Sequence, residues 1–224
     1  MQTKIIWPWE VSDLNGIAVI ADVWAATTNI TSFFRKGVNR LLIVNKNNVE
    51  RAKKEYKDAL VIGENFELPK NFFDTSNLPS DIENIDVKNK IVLFMSDNGS
   101  RIIELAFKKK AKKVITVSFN NLASVSNYLK NLEEEIYLIP SGESGQQVDE
   151  DLICIESLDK MLNNRSVHLE KAQEESKAFI RKFYNDEKYD EFLNFNIVFD
   201  LNNSRTIPVC KQIEHEFIEI ENLN

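Results

Sequence analysis

Apolar and polar positions alternate along this chain in blocks that predict buried strands separated by amphipathic helices. Ile17 to Ala21 is an uninterrupted apolar run that ends at Asp22, and such a run reads as a strand buried on both faces. Thr27, Thr28 and Asn29 follow as a hydroxyl-rich turn, then Ile30, Phe33, Phe34 and Val38 recur with helical spacing. Similar strands are expected at Lys4–Trp7, Arg40–Val44, Leu60–Gly63, Lys90–Met95, Lys113–Ser118 and Ile136–Pro140. Helices are expected at Val49–Lys57, Ile102–Lys110, Asn121–Leu132, Leu152–Leu162 and Ser166–Tyr184, the last with an inner stripe at Ala172, Ser176, Phe179 and Phe183. Asn196–Phe199 and Thr206–Val209 read as a helical or strand-like closing segment.

This βαβ alternation predicts a largely parallel sheet with right-handed crossovers. The expected organisation is one domain over 1–224, with a core of about 1–163 and a closing tail of about 164–224. Asn65–Asn89 carries Pro69 and Pro79 and little periodicity. It is long for a plain connection and is expected to be a functional loop.

The strand–acid–turn–helix order at Asp22 has a chemical meaning. Ligands of open α/β sheets bind at the carboxyl ends of strands, and a helix N-terminus there offers N–H groups to an anion. An acid beside an anion suits a bridging cation such as Mg²⁺. The alternative is that Asp22 only ends a strand and Thr27 or Thr28 only caps a helix. Ser96-Asp97-Asn98-Gly99-Ser100-Arg101 repeats the pattern after another strand and is expected to form a second wall. Asp149-Glu150-Asp151 opens a helix, where acids also complement the dipole.

Composition narrows the partners. The chain has 224 residues, 43% of them hydrophobic, and a formal net charge of −7. An acidic balance argues against nucleic acid as a partner, and the Lys108–Lys113 run reads as a solvated helix end. No apolar run approaches the roughly 18 residues of a membrane span. No basic region precedes a long apolar segment, so no signal peptide is expected. Cys154 and Cys210 form neither a metal motif nor a disulfide framework, and a cytoplasmic, reducing setting is expected. His168 and His215 have no partnered spacing and are assigned no catalytic role. Walker, Gly-x-Gly-x-x-Gly and Gly-x-Ser-x-Gly motifs are absent.

Several segments, in order, resemble the 2-phosphosulfolactate phosphatases, the ComB-type family. Asp22-Val23-Trp24-Ala25-Ala26-Thr27-Thr28-Asn29-Ile30, followed by Gly37, resembles that family's first motif. Gly63-Glu64, Asp74 and Ser76-Asn77-Leu78-Pro79 are similar to its second, and Ser96 to Arg101 to its third. Ser118-Phe119-Asn120-Asn121, Gly142-Glu143-Ser144-Gly145 and Glu150-Asp151-Leu152-Ile153-Cys154 continue the likeness, which runs from about Ile17 to Leu162.

The resemblance implies a three-layer α/β/α fold with a largely parallel or mixed central sheet, and Mg²⁺-dependent hydrolysis of 2-phospho-3-sulfolactate or a related small phosphorylated hydroxy acid, within coenzyme M biosynthesis where that pathway exists. It implies Asp22, Glu150 and Asp151 as metal ligands or acid–base groups, and Glu64 as the residue that orients water. It implies Thr27, Thr28, Asn98, Gly99, Ser100 and Gly142 around the phosphate, with Arg101 adding charge if it points inward. The chain departs from the family pattern at Ala25, Asn65 and Glu143, where arginines are usual, at Phe66 and Glu67, where glycines are, and at Arg205-Thr206-Ile207-Pro208. Arginine forks suit phosphate, sulfonate and carboxylate oxygens. Their loss motivates the alternative of a catalytically weakened homologue that binds a metabolite or a protein partner. A homo-oligomer is one expected assembly, and the sequence leaves the oligomeric state open.

Overall fold

The computed structural model describes residues 2–65, 67–184, 191–213 and 217–224; His215 and Phe66 lie outside them. Nine strands form one mixed sheet. In chain order they are β1 (Thr3–Ile5), β2 (Ile17–Ala21), β3 (Arg40–Ile43), β4 (Leu60–Gly63), β5 (Ile91–Met95), β6 (Lys113–Val117), β7 (Ile136–Pro140), β8 (Pro208–Gln212) and β9 (Ile218–Asn222). The spatial order is β1-β7-β2-β6-β8-β9-β3-β5-β4. β1, β7, β2 and β6 pair in parallel, as do β3, β5 and β4. The β8–β9 hairpin joins these two groups through antiparallel pairing on both sides.

That hairpin alters the expected organisation. The closing segment is not an appendage to a finished sheet, because Cys210 pairs with Val114 and Ile220 with Leu41 in the middle of it. Cys210 and Ile220 are also part of the buried core.

The helices are α1 (Ala26–Arg35), α2 (Val49–Glu55), α3 (Pro79–Asn84), α4 (Gly99–Lys108), α5 (Leu122–Leu129), α6 (Asp149–Leu162), α7 (Leu169–Tyr184) and α8 (Glu191–Val198). Alternation along the strands divides the core between the two sheet faces. Ala18 and Ile20 of β2 pack with Ile30 and Phe33 of α1 and Ile102 and Ile103 of α4. Ile17, Val19 and Ala21 of the same strand pack with Ile155 and Leu158 of α6 and Val125 of α5. The result is the three-layer α/β/α arrangement, with both faces of the strands covered.

Several boundaries differ from the sequence expectation. Thr27, Thr28 and Asn29 lie in the first turn of α1 rather than in a preceding turn. The expected loop at Asn65–Asn89 contains a 3-10 turn at Lys70–Phe72 and helix α3; Pro79 sits at the start of α3, where its missing N–H costs nothing. On α7 the buried stripe is Ala172, Gln173, Ser176 and Ile180, while Phe183 is exposed. The inner face of this helix is therefore rotated from the expected one. Lys108, Lys110 and Lys112 form ion pairs with Glu104, Asp13 and Glu134, as expected of a solvated helix end. Among the described residues no helix is long and apolar enough to cross a membrane.

Candidate active site

The candidate site forms where β2, β5 and β7 release the chain at their carboxyl ends. Asp22 follows β2 directly and is buried. Its backbone is pinned by Thr27. The Asp22 N–H donates to Thr27 Oγ1 at 3.1 Å, and Thr27 Oγ1 donates to the Asp22 carbonyl at 2.8 Å. Thr28 Oγ1 donates to the Val23 carbonyl at 2.9 Å. Both threonines are fully buried. The expected role of Thr27 and Thr28 as phosphate-binding hydroxyls does not fit this geometry, because their hydroxyls hold the turn that presents Asp22.

The Asp22 carboxylate points between two helix N-termini. Its Oδ1 accepts the Ala26 N–H of α1 at 3.2 Å. On the other side stands Gly99, the first residue of α4. A Cβ at Gly99 would lie 2.5 Å from Ala26 Cβ and 2.8 Å from Asp22 Oδ2. Glycine there allows α1 and α4 to converge on the acid. Ser100 tightens the α4 turn: its Oγ accepts the Ser96 N–H at 2.9 Å, and it is buried. Gly99 and Ser100 thus shape the wall rather than offer it side-chain donors. Arg101 is exposed on α4 and is absent from the cavity lining, so the inward orientation expected of it is not met.

In front of Asp22 lies a cavity of about 190 Å³. Ala25 and Asn98, the residues that precede α1 and α4, both line it, with Glu64, Asn77, Ser96, Asp97 and Glu143. Trp24, Leu78 and Pro79 supply its apolar part. Asn77 donates to Glu64 Oε1 at 3.2 Å and accepts the Asn29 side-chain amide at 2.7 Å, which ties the loop before α3 to α1. Asn98 Nδ2 donates to Glu143 Oε2 at 2.5 Å. Asn65 donates to Asp97 Oδ1 at 3.0 Å from just behind the lining. Ala25 and Glu143 therefore face the cavity, and Asn65 touches its wall.

Asp151, in the first turn of α6, is not part of the lining. Its Oδ1 accepts the Val23 N–H at 2.7 Å and its Oδ2 the Gly142 N–H at 3.0 Å. It clasps the ends of β2 and β7. The N–H of Gly142 is occupied in the same way and does not face a ligand. Gly142 has a φ of 72°, and a Cβ there would lie 2.4 Å from the Gln146 carbonyl oxygen, so only glycine suits this turn. Glu150 is buried, and its Oε2 has no hydrogen-bond partner.

The electrostatics follow from this crowding. Burial raises the pKa of Asp22 to about 7, with Glu64 and Glu143 adding to the rise and the Ala26 and Gly99 N–H groups opposing it. Burial likewise takes Glu150 to about 8, helped by Asp22, Asp149 and Glu143. Asp151 is raised by burial, then by Glu150 and Asp22, against the Val23 and Gly142 N–H groups. Glu64 stays accessible at the cavity mouth. The protein around its carboxyl still withdraws enough water to raise its pKa, against the Asn77 hydrogen bond.

The residues also admit a hard cation. A buried carboxylate oxygen without a donor, such as Glu150 Oε2, is costly unless a proton or a cation satisfies it. Among the described residues no group of three or more His, Cys, Asp or Glu side chains is arranged to hold a metal. Mg²⁺ usually takes only one or two carboxylates, with waters and substrate phosphate completing its shell. Asp22 lines the cavity, Glu150 is buried outside the lining with one oxygen unpaired, and both oxygens of Asp151 are engaged with the backbone.

Ser96 and Asp97, within the segment expected as a second wall, line the cavity, as do Asn77 and Trp24, which were not expected there from sequence. Asp97 lies just past the end of β5, as Asp22 lies past the end of β2. Ser118-Phe119-Asn120-Asn121 has a structural role instead. Asn121 Oδ1 accepts the Ser118 N–H, and Asn120 Nδ2 donates to the Ile197 and Asp200 carbonyls, docking the segment after α8.

Fold and cavity together define an α/β protein with a cavity at the carboxyl ends of parallel strands, beside two helix N-termini. A family model described as 2-phosphosulpholactate phosphatase matches residues 7–212, and the chain belongs to that phosphatase family. The probable 2-phosphosulfolactate phosphatase of Clostridium perfringens (strain SM101 / Type A) is 30% identical over 206 residues, 87% of this chain and 81% of the relative. That of Clostridium novyi (strain NT) is 31% identical over 160 residues, 69% of this chain and 66% of the relative. That of Thermotoga petrophila is 30% identical over 151 residues, 67% of this chain and 64% of the relative.

Proposed function

We propose that this protein hydrolyses a small phosphomonoester in the cavity in front of Asp22, with Mg²⁺, in a cytoplasmic setting. The family substrate, 2-phospho-3-sulfolactate, and related phosphorylated hydroxy acids are the first candidates. The observation that carries the reading is the position of Asp22 in a family chain: a buried carboxylate between two helix N-termini, facing a cavity of about 190 Å³.

Asp22 and Glu150 are the residues that would hold the cation. Bound there, Mg²⁺ supplies positive charge to phosphoryl oxygens and lowers the pKa of water. Asn98 and Ser96 offer an amide and a hydroxyl to the phosphate from the cavity wall. The N-termini of α1 and α4 add their dipoles. Glu64, at the mouth, orients the attacking water and takes its proton; its raised pKa makes it a better base than an ordinary carboxylate. The ester P–O bond breaks as the water oxygen bonds to phosphorus, and the leaving oxygen takes a proton from solvent. Asp151 and Gly142 contribute position rather than contact.

The test is phosphate release from 2-phospho-3-sulfolactate and a panel of phosphorylated hydroxy acids, with Mg²⁺ and with EDTA. Turnover abolished by EDTA and by Asp22→Asn is expected. Absence of turnover on every ester would favour the second reading, a weakened homologue that binds a metabolite or a protein partner. One observation supports that reading: none of the described lining residues is basic.

A further inference from the structure

The cavity wall carries Asp22, Glu64, Asp97 and Glu143, and the described lining residues include no Lys, Arg or His. On the reading above, Asp22 and Glu150 would hold one divalent cation. The negative charge of a phosphate dianion then offsets that cation, and Glu64, Asp97 and Glu143 remain around whatever the ester carries beyond its phosphate. A carboxylate or sulfonate placed there meets like charge at short range, where the interaction is strong because little water intervenes. An ammonium group meets opposite charge.

Two further observations point the same way. Trp24 forms part of the wall beside these acids, and an aromatic ring next to carboxylates is the usual surface for an ammonium ion. Glu150, almost fully buried behind this wall and in the electrostatic reach of Asp22 and Glu143, keeps Oε2 without a hydrogen-bond donor. Apart from that cation, the described lining brings no positive charge to the site.

Glu143 is the residue of this wall whose placement is most clearly built. It stands in a turn where Gly142, Ser144 and Gly145 have φ values of 72°, 49° and 82°. Its backbone exchanges two hydrogen bonds with Gln146. Both carboxylate oxygens are held, Oε2 by Asn98 Nδ2 at 2.5 Å and Oε1 by the Ser144 hydroxyl at 3.2 Å. These two hydrogen bonds hold the carboxylate at the cavity wall.

We infer that Glu143 sets the substrate class of this site, admitting phosphomonoesters whose short carbon chain bears an ammonium group and disfavouring those that bear a second acidic group. This rests on the phosphomonoester reading above and, within it, ranks 2-phospho-3-sulfolactate, which bears a carboxylate and a sulfonate, below ammonium-bearing esters.

The test compares two probes of matched length, O-phosphoethanolamine and 2-phosphoglycolate. Binding to the full chain in Mg²⁺ is measured by titration calorimetry, for wild type, Glu143→Gln and Glu143→Arg, with folding checked by circular dichroism. Wild type is expected to bind the ammonium ester at least tenfold more tightly. Glu143→Gln should shrink that ratio several-fold, and Glu143→Arg should invert it. A wild-type ratio of one or below, or binding of neither probe, overturns the inference. So does a ratio that a folded Glu143→Gln leaves unchanged. If both variants fail to fold, Glu64→Gln replaces them and must shrink the ratio. Phosphate release is measured separately. Turnover with no charge preference removes the inference and leaves the phosphatase reading standing. A charge preference with no turnover on any ester does the opposite.

Discussion

Asp151 Oδ1 accepts the backbone N–H of Val23 at 2.7 Å, across 128 positions of sequence. The same carboxylate accepts the Gly142 N–H through its other oxygen. One side chain therefore fixes the spacing between the segment that carries Asp22 and the turn that carries Glu143. Its neighbour Asp149 is exposed and adjoins no such contact in the cavity wall.

Replacing Asp151 with alanine should leave two buried N–H groups unpaired. An unsatisfied buried donor costs about 1–3 kcal/mol, so the variant should lose about 2–5 kcal/mol of stability in urea unfolding. Relief of repulsion with Glu150 and Asp22 reduces the loss and does not cancel it. Asp149→Ala, at an exposed site, should stay within about 0.5 kcal/mol of wild type. Equal behaviour of the two variants would remove the clasp.

The buried acids make stability depend on pH. Asp22 rises from 3.8 to about 7 and Glu150 from 4.5 to about 8 on folding. The folded state therefore binds protons more tightly than the unfolded state. Stability from these groups is fully present below about pH 4 and is lost as pH climbs toward 8. The loss is on the order of a few kcal/mol for each group. Melting curves in EDTA between pH 5 and pH 8.5 should show a falling Tm. Millimolar Mg²⁺ should flatten the fall, because a cation favours the ionised form and stabilises by mass action. A wild-type curve unmoved by Mg²⁺ at pH 8 would falsify the cation site.

Asp22→Asn removes one of the crowded charges while keeping an acceptor toward the Ala26 N–H. The metal-free variant should melt higher than wild type at pH 8, show a smaller Mg²⁺-induced shift, and release no phosphate. If Asp22 merely caps α1, the variant should instead melt slightly lower, by about 1 kcal/mol in stability, with an unchanged response to Mg²⁺.

Gly99→Ala tests the convergence of α1 and α4. The added Cβ meets Ala26 Cβ at 2.5 Å and Asp22 Oδ2 at 2.8 Å, so the helices must part. Overpacking of this kind costs about 1–3 kcal/mol, or roughly 2–4 °C of Tm per kcal/mol in a chain of this size. Calorimetry should show the drop. Mg²⁺ affinity should fall with it, since Asp22 is displaced. A variant with wild-type melting and Mg²⁺ response would mean that the helices have room to spare.

Much of the frame was legible along the chain. Ile17–Ala21, Leu60–Gly63 and Ile136–Pro140 are strands with the expected limits. Each is a short apolar run, and burial on both faces of a parallel sheet leaves no other local pattern. The acids after strands were also visible, because polar residues collect where strands leave the sheet and ligands bind. Family-like spacing drew attention to Glu143 and Ala25, and both face the cavity.

Tertiary structure decided what those residues do. The Thr27 and Thr28 hydroxyls look free in sequence, but the backbone of Asp22 and Val23 lies within their reach. Asp149, Glu150 and Asp151 are consecutive acids of equal promise. The helical turn sends one to solvent, one into burial without a partner and one to two distant amides. The β8–β9 hairpin, which reads as a tail, enters the sheet between β6 and β3 because both strands leave an edge unpaired until it does. Apolar periodicity records how deeply a segment is buried. It does not record which distant group a side chain will meet, since that depends on where the rest of the chain has gone.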